Sequence, residues 1–229
     1  MIEIEKVEVF GFEAAIRGMR NPLNSWDKSD TEYRYECDNC FATECTRFRP
    51  LDGCCVSVGE NDHDLMMRLV KGGSTHAKFR RMMMVSMDIT APLYWWKEFD
   101  TYKVGTVANS CSTMHTIHKR DLTMEDFSCE HLMYESRLIM EEYVLPTINA
   151  YRAEYVFTGE KVYWHQIIQL LPSSFNQTRT IMLNYEVLAG MYRDRRNHKL
   201  DEWVDFCKWI EGLPYSELIT GVENDEQIH

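Results

Sequence analysis

TAPLYWWKEFDTYKVGTVANSCSTMH, residues 90–115, changes its rules half way along. Thr90 can cap a helix and Pro92 suits a first helical turn, so the first half predicts a short helix from Pro92 to about Tyr102, stopping near Gly105. Its large side chains do not keep to one face: Trp95, Phe99 and Tyr102 form one stripe, Leu93 and Trp96 another. A helix apolar around this much of its circumference belongs in a core or a subunit interface. The second half is small and polar, with Thr106, Asn109, Ser110, Cys111, Ser112 and Thr113. Hydroxyls and amides without bulk build either a hydrogen-bonded turn or the wall of a polar pocket, and composition leaves both open.

Upstream, ENDHDLMMRLV (60–70) predicts a helix capped by Asn61 and ended by Gly72-Gly73. His76 follows Ser74-Thr75, and MMMVSMDI then reads as a strand with Met83, Val85, Met87 and Ile89 on one side and Met82, Met84, Ser86 and Asp88 on the other. Downstream, Leu171-Pro172 and the Ser173-Ser174-Asn176 group predict the start of a helix running to about Arg196. Along it Asn184, Val187, Leu188, Met191 and Arg195 share a face, because eleven residues is almost three turns, which separates the amide from the guanidinium by roughly 16 Å. A buried face does not hold an Arg unpaired. Arg195 therefore either belongs to a site or lies at the helix end with Arg193 and Arg196, facing the dipole and solvent.

In order and spacing these pieces resemble the flavin-dependent thymidylate synthases. That family's signature, R-H-R-x-x-S-x-N-E-x-S-x-R-Y, falls here on YKVGTVANSCSTMH, where Asn109 and Ser112 match its Asn and second Ser. His76 stands where the family has an upstream His, and Leu171-Pro172, Asn184 and Arg195 keep the later spacing without a gap. The resemblance spans about residues 70–205. Tyr102, Lys103 and Val104 occupy the R-H-R positions; Val107 replaces the first Ser, Ser110 the Glu and Met114 the Arg. Ile168 stands where the family has a further Arg before Leu-Pro.

The resemblance implies an α/β (α+β) fold, a central sheet with flanking helices, assembled as a homotetramer with FAD bound between subunits. It implies an enzyme, a methyltransferase that moves a one-carbon unit reductively from methylenetetrahydrofolate to dUMP, giving dTMP, with NADPH as reductant. Site residues follow by position. Arg195 is expected at the pyrimidine edge, with Ser112, Ser110 and Asn109 at the nucleotide; His76 and Asn184 lie near the flavin, and Lys103 supplies the positive charge of the missing Arg residues. Two alternatives are a homologue that binds nucleotide without flavin chemistry and an enzyme that modifies another pyrimidine.

The bulk properties agree with such a reading. At 229 residues and 45% hydrophobic the chain can bury one good core, and it reads as a single domain. A net charge of −11 speaks against a nucleic-acid backbone as partner. No apolar run is long enough to span a membrane and MIEIEKVEVF is unlike a signal, so a cytoplasmic location is expected. Residues 2–12 read as a first strand, and AAIRGMRNPLNSWDKSD as a Pro- and Asn-interrupted loop rich in donors, a candidate for touching a ligand. Residues about 33–58 are expected to form a Cys-rich loop or hairpin insertion in which Cys37, Cys40, Cys54 and Cys55 are candidate zinc ligands, with disulfides or free thiols as the alternatives. His118 to Phe157 reads as two helices split at Leu145-Pro146, VYWHQIIQLL as a further helix, and KLDEWVDFCKWIEGLP as a last helix stopped by Gly212 and Pro214. The tail from about 221 to 229 is polar. Phosphate-loop, dinucleotide-fingerprint, nucleophile-elbow and H-E-x-x-H motifs are absent, and nothing marks Cys111 as a nucleophile.

Overall fold

The structure, a computed structural model, describes residues 2–34 and 55–221. Its chain order is β1 (Glu3–Phe10), α1 (Phe12–Arg20), β2 (Glu32–Arg34), β3 (Cys55–Ser57), α2 (Glu60–Lys71), β4 (Met84–Pro92), α3 (Leu93–Phe99), β5 (Val107–Ser110) and α4 (Thr113–Thr116). There follow α5 (Tyr134–Ile139), α6 (Leu145–Thr158), α7 (Lys161–Leu170), β6 (Asn176–Asn184), α8 (Tyr185–Arg195), α9 (Asp201–Glu211) and α10 (Glu217–Thr220). The fold is mixed α/β, with a four-stranded central sheet ordered β1-β4-β6-β5 and helices around it. β4 alternates as its sequence predicts: Val85, Met87, Ile89 and Ala91 are buried while Met84, Ser86, Asp88 and Thr90 are half-buried. β2 pairs antiparallel with β3 (Glu32 with Ser57, Arg34 with Cys55). Cys37, Cys40 and Cys54 lie outside the described residues. The described chain divides into two compact units, residues 2–4, 88–101 and 108–180, and residues 5–34, 55–87, 102–107 and 181–221.

In the first unit the aromatic stretch behaves as its composition requires and its boundaries differ. β4 continues through Pro92, so α3 is shorter than expected and Thr90 caps nothing; its Oγ1 lies 2.7 Å from Thr178 Oγ1. The helix needs no side-chain cap, since the first amides, Leu93 and Tyr94, donate to the carbonyls of Phe175 (3.0 Å) and Ser173 (3.1 Å). Trp95, Trp96 and Phe99 are buried against each other, with ring centroids 4.9 to 5.2 Å apart. The small polar run is not a plain loop: it forms the edge strand β5 and then α4, tied down where the Cys111 amide donates to Thr178 O at 2.9 Å.

The helical region expected from His118 begins only at Tyr134; before it stands a 3-10 turn, Met124–Asp126, closed by a Thr123–Asp126 capping box. The expected split at Pro146 is replaced by a continuous helix with a π-turn at Met140–Val144. Pro146 cannot donate, and its ring would strike the carbonyl four residues back, so the chain opens one wide turn rather than breaking. The inner face packs Met140, Leu145 and Ile148 with Ile117, Leu122, Phe127 and Ile167 in one core cluster.

In the second unit, FEAAIRGM is a helix where the end of the first strand at Phe12 and a loop from Ala14 were expected. The period was there in Phe12, Ala15, Ile16 and Met19, all buried, and the Pro and Asn signals act only from Asn21 onward. Gly11 precedes it with φ of 91°, and a Cβ there would sit 2.0 Å from the Met82 carbonyl oxygen. Gly11→Ala is therefore expected to cost about 1–3 kcal/mol and lower the melting temperature by roughly 5 °C, readable by calorimetry; an unchanged transition would contradict the close approach. α2 is capped from a distance: Asp30 accepts from the amides of Asn61 (2.9 Å) and Asp62 (3.1 Å), so Asn61 is not the cap.

The helix expected from Ser173 to Arg196 is instead strand β6 followed by α8. Thr178 and Thr180 favour extended backbone, and the working cap is Asn184, whose Oδ1 accepts from the Val187 amide at 3.0 Å. Tyr185, Leu188 and Met191 of α8 are fully buried, as are Trp203, Phe206 and Ile210 of α9.

One buried polar knot holds α1 and α2 together. Arg20 Nε donates to Asp62 Oδ1 at 2.6 Å, while Ser29 Oγ (2.7 Å), Thr31 Oγ1 (2.6 Å) and the amides of Asp30 and Thr31 donate to Oδ2. Burial raises the Asp62 pKa, yet the hydrogen bonds from Thr31, Ser29 and Arg20 and the Arg20 charge outweigh it and hold the carboxyl below its usual range.

Candidate functional site

A cleft of about 800 Å³ opens in the second unit beside this knot. The C-terminal end of α1 and the turn after it supply Arg20, Asn21, Pro22, Leu23, Ser25 and Lys28. Pro22 starts a 3-10 turn, Asn24 takes a left-handed conformation (φ 47°), and Trp26 Nε1 donates to Asn21 Oδ1 at 2.9 Å, so the loop is braced before any ligand arrives. α2 contributes Leu65, Arg68 and Leu69, which share a face by their three- and four-residue spacing. The segment between α2 and β4 brings Thr75, His76, Lys78, Phe79 and Met82.

The cleft wall thus carries Lys28, Arg68, Lys78 and Arg20 with His76, and no carboxylate among its described lining residues. In a chain of net charge −11 that is a local reversal of sign. Arg20 is held by Asp62 and also donates to Ser25 O at 3.2 Å, so it fixes the wall, while Lys28, His76 and Lys78 are exposed cations or donors at the rim. Leu23, Leu65, Leu69 and Met82 give the same cleft an apolar side. Such a pocket suits a ligand with anionic and flat apolar parts.

Arg195 and Asn184 belong to a second cluster in this unit. Arg195 Nε donates to Tyr102 Oη at 3.0 Å, and its guanidinium carbon lies 4.9 Å from the Trp203 ring centre and 5.6 Å from that of Tyr102. His198 Nε2 stands 3.0 Å from Nη1. Arg195 is therefore neither a free surface charge at a helix end nor an unpaired buried one; it is a guanidinium pinned among three rings. Asn184 spends its Oδ1 on the α8 cap, and its Nδ2 lies 3.3 Å from where Gly105 would carry a Cβ. Gly105 has φ of 80°, which lets the loop after Tyr102 press against α8. Lys103 and Val104 project into solvent.

Asn109, Ser110 and Ser112 lie in the first unit. Asn109 and Ser110 are exposed on β5, and Ser112 precedes α4, with Gln177 Nε2 bracing the turn through Cys111 O (3.0 Å) and Thr113 Oγ1 (3.2 Å). The structure brings His76 together with Lys28, Arg68 and Lys78, which the sequence reading did not single out. Their signal was the donor-rich loop after α1, whose Lys28 lies far from His76 in sequence. No group of three or more His, Cys, Asp or Glu that could hold a metal occurs among the described residues; of the candidate zinc ligands, Cys37, Cys40 and Cys54 lie outside them. No described helix is long and apolar enough to cross a membrane.

No protein-family model matches the sequence, and no curated protein sequence matches it. Solved structures do. A crystal structure of thymidylate synthase X (ThyX) from Helicobacter pylori with FAD and dUMP superposes with a TM-score of 0.62 and 14% identity, over 96% of this chain and 98% of that one. A second, flavin-dependent thymidylate synthase ThyX from Helicobacter pylori complexed with FAD and dUMP, gives a TM-score of 0.62 and 15% identity, over 94% and 98%. At this identity the likeness establishes a ThyX-like fold.

Proposed function

From that fold we propose a flavin-dependent thymidylate synthase-like enzyme, which binds FAD and a pyrimidine nucleotide and methylates dUMP reductively with methylenetetrahydrofolate and NADPH. The observation that carries this reading is the cationic, carboxylate-free cleft around His76. Its volume lies within the roughly 300–1,000 Å³ of small-molecule and cofactor sites. Its chemistry fits a dinucleotide, with Lys28, Arg68 and Lys78 toward the phosphates, His76 as a donor beside them, and Leu23, Leu65, Leu69 and Met82 against a flat ring. These residues take over the charge that Tyr102 and Val104 no longer carry. Bound flavin would supply the electron transfer that the reaction needs.

The chain's own residues bind and orient. The loop from Asn21 to Lys28 is set by the Trp26–Asn21 hydrogen bond and by Arg20, so the cations stand ready at low ordering cost. Arg195, placed by the resemblance at the pyrimidine edge, is a fixed donor because Tyr102 and Trp203 clamp its guanidinium.

A second reading, a nucleotide-binding homologue without flavin chemistry, draws on one observation. The Tyr102 hydroxyl is used by Arg195, which leaves Lys103 as the one cation in the Tyr102–Val104 window. The visible absorption spectrum of the purified chain, before and after adding FAD and with dUMP titrated into each sample, separates the two. Flavin bands that stay with the protein through gel filtration and shift on adding dUMP are the expected result. A protein that does not retain FAD yet melts higher with dUMP would replace the enzyme reading with the second one.

A further inference from the structure

Two cavities border α1. Gly18 and Met19 turn toward the cationic cleft, whereas Glu13, Ile16, Arg17 and Arg20, spaced by three and four residues, share a face that walls a smaller cavity of about 260 Å³. Trp26 and Tyr33 supply its aromatic side. Trp26 is 50% exposed, with its Nε1 fixed on Asn21 Oδ1 at 2.9 Å, and Tyr33 is half-buried. A large ring anchored by its polar edge and left open on its face is a stacking surface. Glu13 and Arg17 stand one turn apart with side chains 56% and 66% exposed, and Arg17 Nη1 lies 4.0 Å from Glu13 Oε1. That is too long for a hydrogen bond, so the carboxylate keeps its acceptors and the guanidinium its donors, side by side. Arg20, by contrast, is bound to Asp62 and to Ser25 O and gives the wall its shape.

We infer that this cavity binds the guanine base of a free nucleoside or nucleotide. A fork of donors beside a pair of acceptors, next to a flat aromatic wall, is the complement of one base in particular. Guanine presents O6 and N7 as adjacent acceptors, which an Arg meets with two N–H groups. Its neighbouring edge presents N1–H and the N2 amine as adjacent donors, which a carboxylate meets with its two oxygens. Adenine carries an amine where guanine has O6 and an acceptor at N1, so it would set donor against donor at Arg17 and acceptor against acceptor at Glu13. Pyrimidines have no counterpart of N7 and lose half of the Arg17 contact. The size agrees with a base alone: the volume falls below the roughly 300–1,000 Å³ of sites that enclose a drug-sized ligand, so one ring system enters and the sugar stays outside. Charge separates the two cavities as well. Glu13 balances Arg17 and Asp62 balances Arg20, which suits an uncharged base, whereas the cationic cleft suits phosphate. The site is independent of the flavin reading and stands if that reading fails.

Calorimetric titration of the full chain with guanosine, which carries no phosphate for the cationic cleft, is expected to show saturable binding at one site per chain. Adenosine should bind at least about tenfold more weakly, as loss of a well-placed bidentate pair requires, and inosine, which lacks only the N2 amine, should fall between the two. Glu13→Gln should weaken guanosine binding about tenfold or more. It should also close the gap to adenosine, because a Gln amide offers the donor and the acceptor that adenine N1 and N6 require. Arg17→Gln should weaken guanosine to a similar degree. Both side chains are more than half exposed, so neither variant should shift the melting temperature. Guanosine should quench tryptophan fluorescence in the unaltered chain, and that quench should disappear in Trp26→Phe. No saturable guanosine binding, equal binding of adenosine, guanosine affinity unchanged in both Glu13→Gln and Arg17→Gln, or a quench that persists in Trp26→Phe would each overturn the proposal.

Discussion

Asp62→Ala is expected to be the most damaging single substitution in the described chain, costing about 3–5 kcal/mol against the roughly 5–15 kcal/mol that a domain of this kind has in total. The Asp62 side chain is completely buried and accepts from Arg20, Ser29, Thr31 and two backbone amides. Removing it strands the buried Arg20 guanidinium and leaves those donors without their acceptor. Urea unfolding followed by tryptophan fluorescence measures the loss. Asp62→Asn keeps the volume but turns an NH2 group toward at least one donor, so it should recover only part of the stability. A midpoint within experimental scatter of the unaltered protein would mean that the knot contributes nothing.

The same carboxylate gives an acid dependence with a definite sign. Its folded pKa is depressed below the unfolded value near 3.9, so its contribution is complete above about pH 4 and is lost as pH falls through the lower folded value. Asp62→Asn should therefore flatten the acid limb of the stability profile below pH 4 while the neutral region drops as a whole.

Reversing Lys28 and Lys78 together, as Lys28→Glu with Lys78→Glu, should weaken FAD binding about 100-fold or more. Hydrogen bonds to a charged group contribute roughly 1.5–3 kcal/mol each, and the new carboxylates add repulsion to what is lost. Both side chains are exposed, so the melting temperature should stay where it was. Fluorescence quenching of added FAD reads the affinity directly, without requiring turnover. Retained affinity in the double variant would move the cofactor away from this cleft, and with it the observation on which the enzyme reading rests.

Residues 90–115 show how far the sequence could be read. The crowding of Trp95, Trp96 and Phe99 announced a buried helix, because no single face could hold them, and the alternation in β4 named its buried side correctly. Where that helix began was not legible, since its first amides are satisfied by carbonyls eighty residues away rather than by a neighbouring side chain. The helix placed over residues 173–196 failed for a related reason: a run of Ser and Asn offers several equivalent caps, and only the threonines of β6 argued for strand. At the candidate site, position in a family pattern picked out His76 and Arg195. It could not reveal that Arg195 would be enclosed by Tyr102 and Trp203, or that Lys28, Arg68 and Lys78 would converge on His76. Those are long-range consequences of folding that no local pattern records.

The wide turn at Met140–Val144 also bears on how this chain can change over generations. A helix with one surplus residue in it has a place from which a residue can be deleted. Deleting one there would restore regular winding and leave the helix on either side close to its present rotation, because the wide turn takes up its surplus residue within about one revolution. Pro146 stands guard over that deletion, since regular winding would drive its ring into the carbonyl four positions back. A shortened lineage would have to lose the proline as well, and two coupled events are rarer than one.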